Sequence, residues 1–257
     1  MLFGVQRIAM SESPKTQLEI YLFDPANSHS KESLVNNQLF FDLKVAAAER
    51  GYFLNLYLPE VDKDGFDIIL DDQDKLTKLQ LKTVMKKAST VSWDIHKSLL
   101  RPNHLYCEEL GFESSPTGTG YQGGVILVEI DAENGFRVDY YYTDIIILLG
   151  LREKIINLTS PPTEKAISKL FQGLGTGLSN GKIKVNKSMF IKANSPSGLL
   201  ALIGLHNTAN TATWRYHIQT MVPPCNDSEL PSPYEKLKKF VNNEISEIST
   251  DSIEESP

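Results

Sequence analysis

Apolar residues recur along this 257-residue chain in two rhythms. From Ser30 to Arg50 they fall at helical spacing. Leu34, Leu39, Phe41 and Val45, with Ala46 to Ala48, make one apolar face, Ser30 and Ser33 offer capping hydroxyls, and Gly51 stops the helix. Elsewhere the rhythm is that of strands. Leu18 to Phe23 predicts a first strand, and Tyr52 to Tyr57 an aromatic-rich one bounded by Pro59. Phe66 to Leu70 and Leu79 to Val84 predict two more, separated by the turn-forming Asp71 to Lys75. Trp93 to Leu100 reads as two helical turns ended by Arg101 and Pro102. Val125 to Ile130 and Phe136 to Tyr142, joined around Asn134 and Gly135, predict a hairpin.

Beyond Pro161 the pattern predicts a short helix from Thr163 to Phe171, then strands at Lys182 to Ile191, Leu199 to Leu205 and Thr213 to Met221. An amphipathic helix from Tyr234 to Val241 precedes a Ser/Glu run expected to be disordered. There is no internal repeat. The chain therefore divides into a lead-in (1–29), a core (30–150), a mainly β extension (151–225) and a tail (226–257). Helices and strands mix in the order of an α/β or α+β protein.

Composition changes this picture little. Hydrophobic residues at 41% and charged residues at 23% are ordinary for a folded chain. The longest apolar run, Ile145 to Leu151, is far short of the roughly 20 residues that span a bilayer. The opening residues carry too short an apolar stretch for a signal peptide. Cys107 and Cys225 lie far apart and form neither a disulfide framework nor a zinc site, so the expected location is a reducing cytoplasm.

Charge matters more. The net charge of −6 argues against a nucleic-acid partner, but Lys75 to Arg101 holds seven basic residues against the single acid Asp94. That stripe can meet phosphates, or it can be a solvated face.

The candidate chemistry lies in Gly65-Phe66-Asp67 and Leu79-Gln80-Leu81-Lys82. Gln80 and Lys82 are two residues apart on one strand, so they point to the same face, while Leu79 and Leu81 point to the other. Asp67 starts the neighbouring strand. If the two strands pair through the short turn, a carboxylate, an amide and an ammonium converge, a set suited to phosphodiester hydrolysis. Asp67 can hold Mg²⁺ or Mn²⁺ through oxygen, and Lys82 can orient water or offset developing phosphate charge. The plainer alternative makes Asp67 a strand-end residue and Gln80 and Lys82 part of a solvated face.

This arrangement resembles the PD-(D/E)xK restriction-endonuclease-like superfamily, in the Mrr-like branch with Gln in place of the second acid. The resemblance covers about residues 30 to 145. It implies a core of helix, three-stranded meander, helix and hairpin, followed here by the mainly β C-terminal extension. It further implies a metal-dependent DNA endonuclease of a restriction or defence type. Asp67 matches the metal-binding aspartate, Gln80 the variable metal-side position and Lys82 the catalytic lysine. The helix glutamate common in that family is missing: residues 36–42 hold none, and Asp42 is the helix-borne substitute. Lys86, Lys87, His96, Lys97 and Arg101 become the expected DNA contacts, and a homodimer the expected assembly. The same fold without activity would be a module that binds nucleic acid or protein.

Other motifs rank below these. Gly173 to Gly177 with Lys182 looks like a phosphate loop but fails the GxxxxGK[ST] test and follows a helix. His206 and His217 lack a second ligand at any metal spacing. Tyr140 to Tyr142 read as alternating core and rim, and Trp93 and Trp214 as packing residues.

Overall fold

The computed structural model describes residues 15–60, 65–103, 112, 120–133, 135–175, 181–205, 213–221 and 231–250. Its centre is a six-stranded mixed sheet in the order β1-β2-β3-β5-β6-β8. The strands are β1 (Asn55–Tyr57), β2 (Ile68–Asp71), β3 (Leu76–Met85), β5 (Gly124–Asp131), β6 (Arg137–Asp144) and β8 (Ile191–Lys192). A separate two-stranded ribbon pairs β4 (Ser92–His96) with β7 (Lys182–Asn186). β3 and β5 run parallel, from Leu79 opposite Gly124 to Met85 opposite Ile130, and every other pair is antiparallel. A parallel pair needs a crossover. Here it includes β4 and the four-residue α3 (Lys97–Leu100).

Helices α1 (Gln17–Phe23) and α2 (Ser28–Glu49) precede the sheet. α4 (Ile145–Arg152) and α5 (Glu164–Gly175) lie between β6 and β7, and α6 (Pro196–Ile203), α7 (Thr213–Met221) and α8 (Pro231–Ile248) follow β8. α2 buries Val35, Leu39, Leu43, Ala46 and Ala47, and ends at Gly51, whose φ of +76° only glycine adopts without strain. Asn27, rather than a serine, stands at its N-cap. The β5–β6 hairpin forms as expected, and Tyr140 and Tyr142 enter the core while Tyr141 lies at its margin. Trp93 and Trp214 are buried packing residues.

Several expectations need correction, and in two cases the ends of the element decide. Residues 18–23 form a helix because Thr16 and Glu19 make a capping box: Glu19 N donates to Thr16 Oγ1 (3.1 Å) and Thr16 N to Glu19 Oε2 (2.8 Å). Residues 199–205 are helical because Ser195 caps Gly198 N, Pro196 opens the first turn, and Gly204 closes it at φ +80°. Thr213–Met221 is a helix and not a strand. Trp93–His96 is a strand, drawn into β4 by β7, which leaves only Lys97–Leu100 helical. The C-terminal extension is accordingly mainly helical and not mainly β. The last helix runs on to Ile248, well past Val241, and its predicted disordered continuation lies outside the described residues after position 250. The apolar run Ile145–Leu151 is a core helix, α4. No helix among the described residues is long and apolar enough to cross a membrane.

One buried polar knot joins these layers. Asp144 ends β6 and caps α4, its Oδ1 accepting from Ile146 N and Ile147 N at 3.0 Å each. Its Oδ2 accepts from Tyr142 Oη at 2.9 Å and from the Arg215 guanidinium on α7. Arg215 also donates to Leu202 O (2.6 Å) and Lys75 to Ile203 O (2.9 Å), so two cations sit on the C-terminal carbonyls of α6.

Removing the carboxylate leaves Arg215 buried without its anion, so Asp144→Ala should lose about 3–5 kcal/mol of unfolding free energy in urea titrations. Burial, and then Arg215, pull Lys75 down from the ordinary 10.5 to about 8. Between pH 8 and 10.5 the unfolded chain then holds a proton that the folded one does not, so this lysine contributes stability that rises with pH across that window. Urea midpoints at several pH values should show that rising component in the wild type and its loss in Lys75→Met.

Candidate functional site

Strand register assigns each side chain to a face of the sheet, because paired residues point the same way. One face carries Leu79, Leu81 and Thr83 of β3 with Ile126 and Val128 of β5 and Tyr140 and Tyr142 of β6. Asp42 of α2 binds this face, so α2 covers it. The opposite face carries Lys78, Gln80 and Lys82 of β3, with Val125, Leu127 and Glu129 of β5 and Thr143, Tyr141 and Asp139 of β6. The 3-10 turn Lys187–Met189 lies against this second face, with Lys187 paired to Glu129.

Asp67 is the residue before β2, in line with Gln80. Its backbone N donates to Leu79 O (2.8 Å), and its Oδ2 accepts from Leu81 N (2.6 Å). The carboxylate takes the acceptor position that a further strand residue would supply, which ends the β2–β3 ladder. It also fixes a negative charge beside Gln80. Gln80 is only 6% exposed, and its Oε1 is buried with no hydrogen-bond donor among the described residues. Lys82, two residues on and half-buried, makes no hydrogen bond or ion pair with any of the described residues. The strand pairing thus brings Asp67, Gln80 and Lys82 to one side of the sheet.

Asp42 does not join them. It lies across the sheet, accepting from Tyr140 Oη (2.6 Å) and Gln38 Nε2 (2.8 Å). Buried Tyr140 has its hydroxyl pushed well above the usual tyrosine range, by burial first and the Asp42 hydrogen bond second. Asp42 is the anchor of a core tyrosine rather than a member of the patch.

The basic stripe is dispersed by folding. Lys75 caps α6, and Lys78 lies 4.6 Å from the Phe66 ring centre and 4.0 Å from that of Tyr121. Lys86 pairs with Asp131 (2.8 Å) and Lys87 with Glu133, both at the far end of β3 from Asp67. Arg101 is 3% exposed, donates to Leu174 O and stacks on Phe112, so it cannot reach a phosphate. Lys97 packs beside Gly181. His96 is the stripe's contribution to the patch: its ring lies against Gly65, two residues before Asp67, where any Cβ would overlap the imidazole. Gly65 itself has φ +75°.

The sequence reading missed two polar groups. One is the Asp144–Arg215–Tyr142–Lys75 knot. Its signal was Asp144 immediately before an apolar run, the position of a helix N-cap. The other is Glu129, which accepts from Tyr141 Oη (2.9 Å) and pairs with Lys187, next to the Lys192–Asp139 pair (3.0 Å). Nothing in the local sequence announces it, because its partners come from two other elements, β6 and the 3-10 turn. Of the lesser motifs, Gly173 to Gly175 end α5, while residues 176–180, His206, Cys107 and Cys225 lie outside the described residues. His217 packs edge-on against Phe240.

Gln80 tests whether this patch is built for a ligand. A buried acceptor without a donor costs about 1–3 kcal/mol. Gln80→Met should therefore be as stable as the wild type or more so in EDTA, by about 1 kcal/mol in urea titrations, while losing any stabilisation that Mg²⁺ gives the wild type.

No model of a known protein family matches this chain, and no curated protein or solved structure matches it either.

Proposed function

We propose that this chain is a metal-dependent endonuclease that hydrolyses DNA phosphodiester bonds, as the resemblance to the restriction-endonuclease-like superfamily implies, in a restriction or defence setting. The observation that carries the reading is the single sheet face shared by Asp67, Gln80 and Lys82, with the Gln80 oxygen buried and unmatched. The strand order adds support. A long helix precedes an antiparallel β1–β2–β3 meander, and a further strand, β5, lies beside β3.

The donor set fits a hard cation. Asp67 and Gln80 would hold Mg²⁺ or Mn²⁺ through a carboxylate and an amide oxygen, both ligand types such ions prefer. The bound ion would supply Lewis-acid activation of the phosphate and of water. Lys82, which pairs with no anion among the described residues, would orient the attacking water and offset charge as the phosphorus–oxygen bond breaks. Leu81 N holds the Asp67 carboxylate in position for this task. His96, over Gly65, borders the patch where a DNA phosphate would approach.

A second reading has its own observation. Among the described residues no group of three or more His, Cys, Asp or Glu side chains could hold a metal, and most lysines of the stripe are engaged within the chain. Both favour a silent module of the same fold, binding nucleic acid or protein without cleaving it.

Plasmid nicking in Mg²⁺ or Mn²⁺ separates the two. The nuclease reading expects metal-dependent nicking, reduced about a hundredfold or more in both Asp67→Ala and Lys82→Ala. Folded but equally inert proteins, with no melting shift on adding Mg²⁺, select the silent module. Nicking that survives both substitutions rejects this site.

A further inference from the structure

Helix α2 has two apolar seams, and the fold uses one of them. Val35, Leu39, Leu43, Ala46 and Ala47 point inward and are buried. On the outer side, Leu34 is 42% exposed, Phe41 64% and Val45 39%, and Ala48 is exposed as well. With Gln38 between them, positions 34, 38, 41, 45 and 48 alternate steps of four and three. That is the spacing of a seam by which one helix packs along another. Isolated exposed apolar residues need no explanation, but a continuous stripe over most of a 22-residue helix does.

We infer that this stripe is a homodimer interface, in which α2 packs antiparallel against α2 of a second copy. The sequence of the seam is self-complementary about a point between residues 39 and 40. A two-fold axis there sets Leu34 against the partner's Val45, and Gln38 against the partner's Phe41. It also brings Lys31, at one edge of the stripe, beside the partner's Glu49 at the same edge, twice by symmetry. Parallel pairing would leave Lys31 and the partner's Glu49 on opposite edges and about 27 Å apart along the axis, so this charge pair is available only to the antiparallel arrangement.

The ends of the helix extend the surface. Tyr21 lies on the first turn of α2, its hydroxyl bonded to Ser30, and Tyr52 and Phe53 follow the last turn, Phe53 being 75% exposed. Antiparallel pairing brings these ends together, Phe53 toward the partner's Tyr21. Because α2 covers the face opposite Gln80 and Lys82, the pairing leaves both polar patches uncovered. It stands whether or not they cleave DNA.

Sedimentation equilibrium of the full chain tests this. Up to about 100 µM, a usual range for a modest interface, the mass should rise toward twice 28.8 kDa. Phe41→Glu should hold the protein at one copy with its circular dichroism unchanged. Should that variant fail to fold, Val45→Lys, at a less exposed site on the same seam, takes its place. Lys31→Glu and Glu49→Lys should each weaken the dimer on the order of fivefold, and the double exchange should restore it. A monomer at every concentration overturns the proposal, as does a dimer indifferent to Phe41→Glu. A monomer destabilised by Phe41→Glu would mean that the stripe is covered within one copy. A double exchange that fails to restore affinity would overturn the antiparallel pairing.

Discussion

The carboxylate of Asp144 is the constraint on which the rest of the fold depends. It closes β6, caps α4 through two backbone N–H groups, binds the Tyr142 hydroxyl from the same sheet face, and neutralises Arg215 from α7. Three elements, β6, α4 and α7, are thereby fixed by one buried anion. A buried charge of this kind persists only where every lone pair is used, since its desolvation costs several kcal/mol before any partner is counted. Arg215 and Lys75 pass the constraint on to α6, whose last carbonyls they hold. The helical half of the chain is attached to the sheet through polar contacts as well as through apolar packing.

That attachment lies on the face occupied by α2 and α6, and it leaves the other face of β3 to a different chemistry. Asp67 combines two demands there. As an acceptor for Leu81 N it terminates a strand pair, a role a structural aspartate could fill by itself. Beside it, however, Gln80 keeps a buried oxygen unmatched, an expense that packing does not explain and that an apolar residue would avoid. Lys82 lies on the same face and makes no ion pair among the described residues.

The positive stripe from Lys75 to Arg101 shows why charge along a chain is a poor map of charge on a surface. Its members alternate along β3 and then turn through β4 and α3, so successive residues reach different environments. Lys75 enters the knot under α6, Lys78 reaches two aromatic rings, Lys86 and Lys87 meet acids at and just after the end of β5, and Arg101 is buried on a helix carbonyl. Each contact joins residues far apart in sequence. Asp42 was misplaced for the same reason: its tyrosine partner lies 98 residues away, on a strand whose pairing fixes which face receives the helix.

The sequence by itself determined what depends on near neighbours. The long helix ending at Gly51, the β2–β3 pair around its Asp-rich turn, the β5–β6 hairpin, and the common orientation of Gln80 and Lys82 all follow from period and turn chemistry within a few residues. Helix α1 was legible too, in the Thr16–Glu19 capping box, and α6 in its Ser-Pro opening and Gly204 close, once end signals are given more weight than β-rich composition. Tertiary structure alone decided the parallel pairing of β3 with β5, the drawing of Trp93–His96 into a strand by β7, the seating of His96 beside Gly65, and the separation of Asp42 from Asp67. These depend on partners that distance along the chain does not reveal. A segment's pattern states which side is apolar, and only the packed chain determines what that side meets.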